Sequence, residues 1–253
     1  MTTPPHADPR FAVWLSDPNF AAAEIARGIG YGATVLDIEH GAFGLADLER
    51  FIPFLKALGM DVLAKVLTPD RGPIQQALDF GADAVVIPHV ESAAHAREIT
   101  AFAKFPPLGD RSLAGGRTIA YGPYTDDWVA AEDIRVRCYP MIEDAGALAD
   151  IDAILELATV DGVFVGPGDL SIRRERGTYT REAGDFADLQ KIADAAHAAG
   201  KHWLMPAWTE EEKRFALENN AHQLALIMQH GALRAGFERP FAETAALLAG
   251  FSE

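Results

Sequence analysis

The sequence predicts an α/β fold, a single (β/α)8 TIM barrel over residues 1–253. Three observations carry that reading. Short runs of β-branched and apolar residues alternate with longer stretches of helical periodicity, eight of each. Several runs, such as AVVIP at 84–88 and GVFVG at 162–166, are almost continuously apolar, as in parallel strands covered on both faces. A length of 253 residues is also typical of an α/β barrel that forms one domain. The alternative, a doubly wound open sheet, usually opens with a Gly-rich first turn, and none is present here.

Strands are predicted at 11–15, 34–40, 61–67, 84–90, 136–143, 162–165, 202–207 and 223–228. Helices are predicted near 19–28, 45–58, 72–80, 92–104, 145–158, 185–199, 209–219 and 232–250. Gly59, Gly81 and Gly200 follow helical stretches just before the next strand, where a left-handed residue stops a helix. The longest irregular segment, 106–127, holds Gly109, Gly115, Gly116, Gly122 and Pro123. A loop of that length in a compact domain usually shapes a binding site or an interface.

Composition narrows the function. Hydrophobic residues at 49% and charged residues at 23% are ordinary for a globular chain, which excludes disorder and collagen-like repeats. Acidic residues outnumber basic ones 37 to 22, for a formal charge of −15. Such a field repels phosphate backbones and anionic lipid, so neither nucleic acid nor a membrane surface is expected as a partner. A local cation or metal can still make one pocket attractive to an anionic substrate. Cys138 is the single cysteine, which excludes an internal disulfide and a multi-cysteine zinc site. The N-terminal MTTPPHADPR has neither a basic region nor an apolar core like those of signal peptides. With no apolar run of membrane-spanning length, the expected protein is soluble and cytoplasmic.

Barrel active sites lie at the C-terminal ends of the strands, so the polar residues there matter most. They are Asp37, Glu39 and His40 on strand 2, Lys65 on strand 3, and His89 and Glu91 on strand 4. Glu143 and Asp144 end strand 5, Gly166-Pro167-Gly168-Asp169 follows strand 6, and Gln229 and His230 follow strand 8. Glu143 and Asp169 end adjacent strands and either converge on one hard cation such as Mg²⁺ or Mn²⁺ or simply cap the helices that follow. The glycine backbone of the GPGD turn exposes N–H donors suited to a substrate carboxylate. His40 suits a general base near neutral pH, or a structural role. Lys65 belongs at the polar mouth, because buried lysines need partners; it either steadies developing negative charge or forms a Schiff base. His89, His95, His197, His202 and His222 read as surface or core residues, and Trp14 as packing.

The segment V-L-D-I-E-H-G at 35–41 resembles the "D-x-E-H" signature of the HpcH/HpaI aldolase family, metal-dependent pyruvate aldolases of the phosphoenolpyruvate/pyruvate barrel superfamily. V-V-I-P-H-V-E-S-A-A-H-A-R-E at 85–98 is similar to its "P-x-V" stretch, and F-P-P-L-G-D-R-S at 105–112 to its "Y-P-P-x-G-x-R" loop. P-M-I-E-D at 140–144 and V-D-G-V-F-V-G-P-G-D-L-S at 160–171 look like its two metal-ligand segments. These matches run in family order from about residue 11 to 200.

The resemblance implies a class II aldolase that reversibly cleaves 4-hydroxy-2-oxo acids to pyruvate, or a related 2-oxo acid, and an aldehyde. It implies Mg²⁺, Mn²⁺ or Co²⁺ held by Glu143 and Asp169, and His40 paired with Asp79 to move protons through metal-bound water. It implies a substrate pocket formed by Trp14, Gly166, Pro167, Gly168 and Asp169, with the Gly168 and Asp169 N–H groups on the carboxylate. It also implies that the C-terminal helix, about 232–250, packs on a neighbouring subunit in a hexamer built as three dimers. This sequence departs from the family at Lys65, where arginine is usual, at Met141, a glutamine in some members, and at M-Q-H-G, where an aspartate is frequent. Three rival readings remain: a CoA-thioester lyase of the same superfamily, a class I aldolase with Lys65 as Schiff-base nucleophile, and a non-catalytic ligand-binding barrel.

Overall fold

A computed structural model describes residues 7–251. Eight parallel strands close into a barrel in sequence order: β1 (Asp8–Leu15), β2 (Tyr31–Asp37), β3 (Asp61–Lys65), β4 (Ala84–Ile87), β5 (Arg137–Ile142), β6 (Gly162–Val165), β7 (His202–Pro206) and β8 (Gln223–Met228). The closure is made by β1, which pairs with both β2 and β8. Helices α1 (Phe20–Ile29), α2 (Leu45–Ala57), α3 (Arg71–Asp79) and α4 (Ala93–Thr100) follow the first four strands. After α4 come α5 (Asp126–Arg135), α6 (Ala145–Ala149), α7 (Ile151–Leu155), α8 (Pro167–Arg173), α9 (Ala183–Ala198), α10 (Glu210–Glu218) and α11 (Gln229–Gly250).

The strand period of two divides the core into two shells. Ala33, Val35, Leu63, Val86, Tyr139 and Phe164 fill the barrel interior. Their neighbours Leu36, Val62, Val85, Ile142 and Val163 face outward and pack with helix residues such as Ile52, Ile74, Ile99 and Ile192. The same alternation continues past the apolar layers. Asp37 stands two residues after Val35, Lys65 two after Leu63, and Glu143 two after Met141, so all three belong to the inward series at the C-terminal mouth.

All eight predicted strands are present, and β1 begins earlier than predicted, at Asp8. The helix predicted at 145–158 is two helices broken at Asp150, which ends α6 and begins α7 while its carboxylate accepts the Ala93 N–H in the first turn of α4 at 2.9 Å. Two helices escaped the sequence reading. Helix α5 carries the marks of a start: Thr125 accepts from the Trp128 N–H at 3.2 Å, and Asp126 and Asp127 occupy the first turn. Helix α8 is a short turn begun by Pro167, directly after β6. Among the described residues no helix is long and apolar enough to cross a membrane.

The last helix does not behave like the other barrel helices. From His230 onward every described residue of α11 is exposed, including Leu233, Phe237 and Phe241. Beside its first turns an apolar cleft of about 500 Å³ opens over β1 and α1, lined by Leu15, Ile25, Ile29, Tyr31 and Ile227.

At the opposite end from the mouth, His202 and His222 stack face to face, 3.6 Å between centroids and 6° between planes. Burial, the neighbouring His202 and the Arg137 guanidinium hold His222 neutral, lowering its pKa from 6.5 to about 4. A histidine depressed in the folded state stabilises above its unfolded pKa and loses that contribution as pH falls toward the folded one. The thermal midpoint is therefore expected to fall between pH 6.5 and about 4, and His222→Gln to fall less over that interval. Circular-dichroism melts of both proteins across the window check this.

Candidate active site

Strands β2 and β3 bring the first charged group together. Asp37 and Lys65 are register partners on adjacent strands and both face the barrel mouth. The Lys65 ammonium donates to Asp37 Oδ1 at 3.1 Å and makes a close ion pair with Glu39 Oε2, while its side chain is 5% exposed. Trp14 donates its indole N–H to Asp37 Oδ2 at 3.1 Å, and the Lys65 ammonium lies 6.0 Å over the Trp14 ring. Trp14 also meets Phe164 and Trp208 edge to face at 5.9 and 6.0 Å. It therefore orients a charged residue as well as packing. The turn after β2 needs Gly41, because a Cβ there would lie 2.2 Å from the Asp37 carbonyl oxygen and 2.5 Å from that of Ser16.

Strands β5 and β6 supply the second group. Glu143 is buried, and Asp169 in the first turn of α8 is exposed close by. Burial, reinforced by the like charge of Asp169, raises the Glu143 pKa against the opposing pull of the His89 N–H, the His89 ring and Lys65. Gly166 makes room for this carboxylate: a Cβ there would stand 2.6 Å from Glu143 Oε2 and 3.1 Å from Met141 Cε. Pro167 then begins α8, whose first-turn N–H groups, those of Gly168 and Asp169 among them, have no intrahelical acceptors. Among the described residues no three His, Cys, Asp or Glu side chains converge as a preformed metal cage, so Glu143 and Asp169 stand as a two-carboxylate set.

His89, which the sequence alone reads as a surface or core residue, belongs to this site. Its main-chain N–H donates to Glu143 Oε1 at 2.7 Å, and its Nε2 lies 2.5 Å from Glu39 Oε1. It thus joins the two carboxylate groups. The available signal was its place at a strand end, after Pro88, and a lone histidine there was too weak a signal to separate it from the others.

His40 also lies at the mouth. Its N–H donates to Asp37 Oδ1 at 3.2 Å, and its Nε2 is 3.5 Å from Glu39 Oε1. Its expected partner is elsewhere. Asp79 ends α3, which runs back along the barrel, so it lies toward the N-terminal end of the strands, away from His40. There Asp79 accepts from Arg111 at 3.0 Å, and within this chain the expected His40–Asp79 pair is not formed. Arg111, buried on Phe105 at 4.7 Å and also 3.4 Å from Glu132, ties the 105–112 loop to α3 and α5. Burial raises the Asp79 pKa, with Arg111 opposing it.

Beyond strand 8, Gln229 accepts the Ser16 N–H at 3.0 Å and donates to Asp17 at 2.9 Å. Gln229, the first residue of α11, thus ties the loop after β1 to the end of the barrel.

Comparison with known proteins places the chain in a family. Residues 10–229 match the model of the HpcH/HpaI aldolase/citrate lyase family. A 2-keto-3-deoxy-L-rhamnonate aldolase of Klebsiella pneumoniae is 31% identical over 198 residues, 76% of this chain and 72% of that one. Its counterpart in Salmonella schwarzengrund is 32% identical over 200 residues, 77% and 73% of the two chains. The crystal structure of an HpcH/HpaI aldolase from Desulfitobacterium hafniense superposes with a TM-score of 0.86 at 27% identity, covering 92% of each chain. Macrophomate synthase, at 23% identity and a TM-score of 0.82, covers 95% of this chain and 85% of that one and shares the fold. The signature segments, the carboxylates they carry to the mouth and these matches agree: the chain belongs to the HpcH/HpaI aldolase/citrate lyase family and is a carbon–carbon lyase.

Proposed function

We propose that this enzyme reversibly cleaves 4-hydroxy-2-oxo acids to pyruvate, or a related 2-oxo acid, and an aldehyde, with a divalent cation bound by Glu143 and Asp169. The observation that carries it is the charge balance of the mouth. Asp37, Glu39, Glu143 and Asp169 gather there, and the one lysine among them is already shared by Asp37 and Glu39. Among the described residues no lysine or arginine pairs with Glu143 or Asp169, and burial with mutual repulsion raises the Glu143 pKa. Two neighbouring carboxylates without a lysine or arginine ion pair fit a hard dication. Bound there, Mg²⁺, Mn²⁺ or Co²⁺ supplies Lewis acidity toward the keto and carboxylate oxygens of the substrate.

The chain's own residues supply the rest. The Gly168 and Asp169 N–H groups, beside Gly166 and Pro167, hold the substrate carboxylate, and Trp14 walls the pocket. His40, exposed at the mouth beside Glu39, takes the proton of the C4 hydroxyl. The C3–C4 bond then breaks, the aldehyde departs, and the electron pair moves onto the C2 oxygen. Lys65 has three N–H donors, two of them committed to Asp37 and Glu39, and its charge opposes that developing oxyanion. Reprotonation at C3 gives the 2-oxo acid. Asp79, held by Arg111, supports the framework and makes no contact with this proton path within the chain.

Specific observations weigh against the rivals. A Schiff base needs a free amine, whereas the Lys65 nitrogen is engaged by both Asp37 and Glu39. A CoA ester needs cations for its phosphates, and of the long loop's two arginines Arg111 is buried against Asp79 and Glu132, which leaves Arg117 alone exposed. The hexamer remains what the family resemblance implies, and α11 is the surface that supports it. Its exposed Phe237 and Phe241, with the apolar cleft at its base, support its packing on a neighbouring copy, in the hexamer of three dimers.

Glu143→Gln and Asp169→Asn are each expected to abolish divalent-metal binding and pyruvate release while leaving the melting curve cooperative; calorimetry with Mn²⁺ and a pyruvate-coupled assay check both. Lys65→Arg is expected to retain measurable turnover, and borohydride with pyruvate to leave the wild type active. A dead arginine variant beside a chelator-insensitive wild type would establish the Schiff-base route instead. Light scattering is expected to report an oligomer, and Phe237→Asp with Phe241→Asp to shift it toward the 27.3 kDa chain.

A further inference from the structure

His89 adopts a backbone conformation that few residues accept. Its φ is +57°, in the left-handed region, while the flanking Pro88 and Val90 are buried and fix the chain on either side. A non-glycine residue there is held against its local preference, and such strain persists where the surroundings demand it. Two bonds show what the conformation does. The left-handed turn aims the His89 N–H at Glu143 Oε1, 2.7 Å away, and lets the ring reach Glu39 Oε1 at 2.5 Å. Glu39 is in turn paired with Lys65, so a line of contacts runs from Glu143 through His89 and Glu39 to Lys65.

We propose that His89 is a positioning residue. Its strained backbone sets the rotamer of Glu143 for the metal, and its imidazole, braced on Glu39, holds that backbone in place. The inference rests on the reading of Glu143 as a metal ligand. Partners of this kind, one bond removed from the metal, typically change metal affinity or activity by about 10–100-fold when they are lost. Histidine suits the position twice over, since it is among the side chains that tolerate the left-handed region and its ring spans the gap to strand 2.

The test uses the full-length protein and three measurements: melting temperature without metal, Mn²⁺ affinity by calorimetry, and kcat and KM for cleavage of a 4-hydroxy-2-oxo acid. Glycine relieves the strain and removes the brace. His89→Gly is therefore expected to melt at or above the wild-type temperature, yet to bind Mn²⁺ about 10–100-fold more weakly, with kcat reduced to match. His89→Asn, which tolerates the left-handed backbone but is too short to reach Glu39, is expected to lose Mn²⁺ affinity as His89→Gly does, whereas His89→Gln, long enough to donate to Glu39, is expected to recover part of it. Wild-type Mn²⁺ affinity in His89→Gly overturns the inference, whatever its turnover. So does a loss of affinity that merely follows a lower melting temperature. A wild type that cleaves no 2-oxo acid refutes the proposed reaction alone, since melting and Mn²⁺ affinity still decide the role of His89.

Discussion

The ammonium of Lys65, buried at the barrel mouth between Asp37 and Glu39, is the contact on which the rest of the site depends. A charge withdrawn from water is tolerable only when it is paired, and removing one partner of such a group costs about 3–5 kcal/mol. Here the pairing also does chemistry. Asp37 is held by Trp14 on one side and by the His40 N–H on the other, so the same carboxylate fixes a pocket wall and the candidate base. Glu39 carries the network across to His89 and thereby to Glu143. Lysine fits this role, because its compact ammonium is a point charge with three donors, two of which are taken up by the carboxylates on either side.

Steric room is the second constraint. Gly41 and Gly166 lie where any side chain would strike neighbouring atoms at 2.2 and 2.6 Å, respectively the Asp37 carbonyl and the Glu143 carboxylate. A side chain at position 41 would push apart the backbones after β1 and β2, and one at 166 would displace the Glu143 carboxylate. Carboxylates crowded beyond the supply of local cations repel one another, which is why burial and Asp169 together raise the Glu143 pKa. That unrelieved repulsion favours a dication, and a dication held there, as proposed above, would make the mouth attractive to an anionic 2-oxo acid despite the net charge of −15.

Elsewhere the buried charges serve the frame. Arg111 closes the long loop onto α3 and α5 through Asp79 and Glu132, which places the loop without bringing its cation to the mouth. Helix α11 leaves Phe237 and Phe241 in solvent beside an apolar cleft, a surface whose covering is supplied by another copy in the assembly proposed above.

The sequence by itself determined the barrel and the ring of acids at its mouth. Strand period and helix stops are local signals, and once eight βα units are counted, the period of two places Asp37, Lys65 and Glu143 facing inward at the same end. Helices α5 and α8 were hidden because one follows an irregular, glycine-rich stretch and the other is two turns long. Partner choice was decided only by the tertiary structure. His89 meets Glu39 and Glu143 from 50 and 54 residues away, and Asp79 meets Arg111 from 32. No periodicity encodes such contacts. They depend on where closure of the barrel brings distant strand ends, and on a left-handed backbone at His89 that local preference alone would not select.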